Sequence, residues 1–151
     1  MHRKITGALL AIVLTPGIIL SAFAETSAED AYKYRSAVMR TLGGHITATS
    51  MTVRGLVEDR GFLSRHARGL ANGAAELNHL FPKASNFGES EALPIIWDEP
   101  EEFEQAIAKA QAATEVLVDA VASEDQDAIG AAFREVGGAC KGCHDRFRKE
   151  H

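Results

Sequence analysis

From Ile129 onward the apolar positions advance by four and three residues in turn: Ile129, Phe133, Val136, Cys140, Cys143, Phe147. A helix, which repeats every ~3.6 residues, brings such positions onto one face, and a strand, which repeats every two, does not. The segment is therefore a helix with one inward stripe, and it needs partners to bury that stripe. Both cysteines of the chain lie in it. Residues three and four apart are neighbours on a helix surface, so Cys140, Cys143 and His144 share a face. Lys141 and Gly142 point elsewhere.

Three more segments carry a helical period. Phe103, Ile107, Ala110, Thr114, Leu117 and Val121 repeat the same steps. Asp98 is the expected cap of that helix, Pro100 suits its first turn, and Glu101 and Glu102 favour its positive end. Near the start, Ser27 stands three residues before Asp30, as a capping serine does. The helix it opens carries Tyr34, Val38, Leu42, Ile46, Val53, Leu56 and Val57 inward, is weakened at Gly43 and Gly44, and is expected to run to about Val57. Another helix is expected over residues 62–80, with Phe62, His66, Leu70, Gly73, Leu77 and Leu80 on its seam and Pro82 stopping it. Residues 82–98 lack a period and read as a long connection. The last helix starts near Ser123, and Arg146, Arg148 and Lys149 complement its negative end. No segment alternates as a strand does. The expected class is all-α, an antiparallel four-helix bundle with two short connections and one long one.

The first residues have the parts of a secretory signal. Arg3 and Lys4 are followed by an apolar run to Leu20, broken at Pro16 and Gly17, and then by the cleavage pattern Ala22-Phe23-Ala24. The run is short for a membrane span. Residues 1–24 are expected to be removed, leaving residues 25–151 as one domain with no membrane anchor. Losing Arg3 and Lys4 takes the formal charge of −5 to −7. So acidic a chain disfavours nucleic acid and suits basic or neutral partners. Export also places the thiols in an oxidising compartment, where free cysteines need a chemical reason.

Four chemistries use two cysteines at this spacing. A thioredoxin-like pair opens a helix within a βαβ unit, and no strands are expected here. A structural zinc site needs four nitrogen or sulfur ligands, and the remaining histidines show no paired spacing. A disulfide across three residues of a regular helix is strained. The fourth is haem attachment. C-x-x-C-H places two thiols for thioether bonds to the macrocycle and a histidine for its iron, and it consumes both thiols. One covalently bound haem c is the expected cofactor, near the C-terminal end of the fourth helix. No nucleophile constellation or phosphate loop points to an enzyme.

With "CKGCHDRFR" at the end, four helical patterns, and "EDAYKYRSAVMRTLGGH" in the first helix, residues 25–151 resemble the cytochrome c′ superfamily, the class II c-type cytochromes, over nearly their whole length. The resemblance implies a periplasmic haem protein with His144 as axial ligand of the iron and the other iron face turned to the first helix. It implies that Arg35 lies by the haem propionates, where a guanidinium suits a carboxylate. The residue four later, Met39, then lies over the distal face of the iron. A thioether ligated there makes a six-coordinate electron carrier, which is the expectation drawn from "YRSAVM" with "GGH" after it. A methionine that only packs there leaves a five-coordinate iron open to nitric oxide or carbon monoxide. By the same analogy Arg148, one turn beyond His144, stands beside the exposed ring nitrogen of that ligand. His45 is a poor ligand candidate, and His66 falls on the apolar seam. Trp97 and Phe87 belong to the long connection and suit core packing better than a haem edge. Redox proteins are the expected partners, and monomer and homodimer are both open.

Overall fold

The computed structural model describes residues 26–150. The expected signal segment, residues 1–24, lies outside them. Four long helices form the bundle: α1 Ala28–Val53, α2 Leu63–Ala75, α4 Pro100–Ser123 and α5 Gln126–Phe147, with a short α3, Ile95–Asp98, before α4. A 3-10 turn, Leu77–His79, continues α2. Consecutive long helices pack side by side in the order α1, α2, α4, α5, and the ring is nearly open between α5 and α1. No helix among the described residues is long and apolar enough to cross a membrane.

The seams of α4 and α5 fold as their periodicity predicts. Phe103, Ile107, Ala110, Thr114 and Leu117 are buried on α4, and Ile129, Ala132, Val136 and Phe147 on α5. Asp125 caps α5 by accepting from the amides of Asp127 at 2.9 Å and Ala128 at 3.1 Å, so that helix starts at Gln126, three residues after Ser123. Asp98 does not cap α4. It ends α3, and Glu99 stands at the cap without a side-chain bond.

Helix α1 is shorter than expected, and its seam is displaced. Gly55 takes φ +68°, which only glycine adopts freely, and turns the chain out of the helix. The Leu56 amide then reaches back to the Met51 carbonyl and the Gly55 amide to that of Thr52, a paired closure of the last carbonyls. Leu56 and Val57 therefore lie beyond the helix and are exposed. Tyr34 faces outward too, and its hydroxyl donates to Glu76, because Arg35 takes the inward position beside it. Helix α2 likewise starts one residue late. Asp59 Oδ1 accepts from the amides of Gly61, Phe62 and Leu63, which leaves Phe62 outside the core.

The core is in two parts. One gathers Leu77, Leu80, Ile96, Phe103, Ile107, Ala110 and Phe147. The other gathers Leu63, Leu70, Leu117, Ile129 and Val136. Leu42 of α1 packs against both.

Candidate haem site

The cysteines stand where the two parts of the core meet. Cys143 packs against the first cluster and Cys140 against the second. Both are free thiols and half-buried. Burial pushes the Cys140 thiol up, and burial together with the neighbouring Cys140 pushes Cys143 to about 11. Redox and zinc cysteines are thiolates with lowered pKa, so the environment is the reverse of what those chemistries need. Among the described residues no group of three or more histidines, cysteines and carboxylates is placed to hold a metal ion.

His144 follows Cys143 on α5 and is half-buried. Burial lowers its pKa first, and the Arg148 cation lowers it further, against the opposing pull of Asp145 and Glu91. At neutral pH the imidazole is therefore neutral, with a lone pair to donate. Arg148 is positioned by the end of the helix. Its amide donates to the His144 carbonyl at 3.1 Å, its backbone bridges to Ala92, and its guanidinium lies 4.0 Å from Glu91. Its cation is one of the charges that act on the His144 imidazole.

On α1, Arg35 is 5% exposed. Its guanidinium donates to the Leu80 carbonyl at 3.1 Å, to Ser85 Oγ at 2.9 Å and carbonyl at 2.8 Å, and to Ser90 Oγ at 2.9 Å. It also lies 4.9 Å from the Phe81 ring centroid. None of these partners is an anion. A cation removed from water without a counter-charge is costly, and burial lowers its pKa accordingly. A carboxylate brought in from outside the chain, such as a haem propionate, would compensate it, and Nε–H is the donor these four bonds leave over. Sequence reasoning missed Ser85 and Ser90, because serines of an aperiodic segment carry no signal of what they will meet.

Met39, one turn after Arg35, is half-buried and packs against the cluster that also takes Cys143. Val38 and Leu42 pack there with it. Trp97 donates its indole N–H to the carbonyls of Phe81 at 3.1 Å and Pro82 at 3.2 Å, so it pins the long connection rather than lining the site. Phe87 is exposed. His45 and His66 pair with each other between α1 and α2.

These residues fit a haem. The two parts of the core meet at the two thiols, α1 and α5 barely touch, and Val38, Met39 and Leu42 of α1 are apolar and only half-covered. A groove of ≈ 910 Å³ between α4 and α5 also reaches Cys143 past Gly138 and Gly142. Cys140 and Cys143 would hold the group covalently, His144 would hold its iron, and Arg35 offers the buried positive charge.

Comparison with known proteins agrees. The family model described as cytochrome C′ matches residues 30–148. The chain is 30% identical to the cytochrome c′ of Pararhodospirillum photometricum over 124 residues, covering 82% of this chain and 99% of that one. It is 40% identical to cytochrome c-554 of Cereibacter sphaeroides over 74 residues, covering 47% of this chain and 48% of the other. A solved nitric oxide complex of a mutant cytochrome c prime from Alcaligenes xylosoxidans matches with TM-score 0.76 and 30% identity, over 82% of this chain and 98% of that one. The bundle, the C-x-x-C-H face of α5 and the family match over residues 30–148 lead to one conclusion: the chain belongs to the cytochrome c′ family, whose members bind haem and its iron.

Proposed function

We propose that this chain is an exported, periplasmic c-type cytochrome that carries one haem on Cys140 and Cys143 and binds a diatomic gas, nitric oxide or carbon monoxide, opposite His144. The observation that carries this reading is the likeness, over 82% of this chain and 98% of theirs, to variant cytochrome c prime structures that hold nitric oxide in one case and carbon monoxide in another. The bound group supplies an iron that ligates such gases and takes up one electron at a time.

The chain's own residues do the rest. His144, neutral at neutral pH, would hold the iron of the bound group through its lone pair. Arg148 draws on the same imidazole, weakening it as a base and by the same field as a donor. Val38, Met39 and Leu42 make the α1 side apolar, which admits a neutral diatomic molecule and rejects anions and hydrogen-bonding ligands. Arg35 secures the connection at residues 80–90 to α1 and offers its charge to a carboxylate.

A second reading is supported by one atom: Met39 brings a soft thioether sulfur to the same cluster as Cys143. If it ligates, the iron is six-coordinate, and the protein is an electron carrier for redox partner proteins. Titration of the ferrous holoprotein with carbon monoxide, wild type beside Met39→Leu, separates the two. Gas binding predicts a ferric wild type that is high-spin and a ferrous form that binds carbon monoxide stoichiometrically, with little change in Met39→Leu. A low-spin wild type that binds carbon monoxide only after Met39→Leu would overturn it in favour of electron transfer.

A further inference from the structure

Two histidines that the haem chemistry does not use meet between α1 and α2. His45 Nδ1 and His66 Nδ1 are 3.1 Å apart, with ring centroids 5.3 Å apart and planes tilted by 59°. Both are half-buried. The pair is built into the packing of the helices. A Cβ added at Gly69 of α2 would lie 2.4 Å from His45 Nε2, so the His45 ring rests on bare backbone, and any larger residue at 69 would displace it.

We infer that His45 and His66 form a two-imidazole site for a divalent first-row transition ion, separate from the haem. The spacing is suitable. An ion ~2.05 Å from both Nδ1 atoms would subtend about 98° at this separation, between the right angle of a square-planar site and the tetrahedral angle. Each N–ion direction would lie about 40° off the N···N line. Neutral imidazole is a good donor for copper(II), nickel(II) and zinc(II), and the general order of affinity ranks copper(II) above zinc(II). Water would fill the remaining positions.

A second feature points the same way. Thr49 lies one turn beyond His45 on α1, within reach of the same face. It is fully buried, and its Oγ1 has no hydrogen-bond partner among the described residues. A buried hydroxyl without a partner is destabilising, and threonine in a helix ordinarily bonds to the carbonyl four residues back. A water on the ion would give this hydroxyl its partner. The antiparallel register, in which Leu42 meets Gly73 and His45 meets Gly69, places Thr49 near the level of His66.

The proposal contrasts with a plain interhelical hydrogen bond, in which one neutral ring donates to the other and no ion is taken up. Calorimetric titration of the ferric holoprotein with zinc(II) and with copper(II) distinguishes the two. One equivalent of each should bind per chain, copper(II) more tightly. His45→Gln and His66→Gln should each weaken binding by at least about tenfold, while His79→Gln, whose side chain is outside the site, leaves it unchanged. A wild-type measurement guards against variants that fold poorly: zinc(II) should protect His45 and His66 from diethyl pyrocarbonate, read by peptide mass, and leave His79 as reactive as before. No saturable binding by the wild type, binding retained in either variant, or protection that spares both residues would overturn the proposal.

Discussion

Arg35 occupies an inward position on α1 that an aliphatic side chain would ordinarily take, and four hydrogen bonds tie it to residues 80–90. Its removal would leave the buried Ser85 Oγ without its partner, while Ser90 Oγ would keep the Ala92 amide at 3.2 Å. Hydrogen bonds to charged groups each contribute about 1.5–3 kcal/mol, and a buried orphan is penalised further. Arg35→Leu should therefore lower the unfolding free energy of the holoprotein by about 3 kcal/mol, with Arg35→Lys between it and the wild type, as read by urea titration. A loss below about 0.5 kcal/mol would mean that these bonds hold nothing. That Arg35 turns inward was expected only from the family resemblance, and its burial agrees with that. What it binds was not legible in the sequence, because its partners are brought close by a segment that has no period. Tyr34 shows the converse. Its spacing suited the seam, yet a buried cation next to it set which residue faces in. That Cys140, Cys143 and His144 lie together on one helix was legible, because a helix fixes their relation without reference to the rest of the fold.

At the scale of elements, α1 and α2 approach closely where side chains are missing. A Cβ at Gly73 would lie 2.6 Å from Leu42 Cδ2, so Leu42 fits the hollow that this glycine leaves. Two effects oppose each other when alanine is placed there. Helix propensity gains about 1 kcal/mol, and the clash loses about 1–3 kcal/mol. In the wild type the clash should prevail, so Gly73→Ala destabilises. In a Leu42→Ala background the hollow is empty, and the same substitution should stabilise by about 0.5–1 kcal/mol. A double-mutant cycle by chemical denaturation reads the change of sign, and equal effects in both backgrounds would contradict the packing. The helices themselves were legible from their periods, most fully for α4 and α5, whose seams are regular. Their ends were not. Gly55 and Asp59 decide where α1 stops and α2 starts, and each acts through backbone bonds that a hydrophobic pattern does not register. The brief α3 escaped notice for the same reason, having too few residues to show a period.

For the whole molecule, the order of helices and the lengths of their connections were enough to indicate an antiparallel bundle. The opening between α1 and α5 was not legible, because it is a relation between helices far apart in the chain. Nor was the division of the core at the level of the cysteines. Both follow once a bundle is built around a flat apolar group tethered to one of its helices, and that is the central claim: a single haem bound through Cys140 and Cys143. The direct test is the intact mass of the exported protein under denaturing conditions, from cells able to mature c-type cytochromes, with a thiol-alkylating reagent present. The account predicts the mass of residues 25–151 plus one haem, with no alkylation at Cys140 or Cys143. The bare mass of the chain, or two thiols open to the reagent, would contradict it.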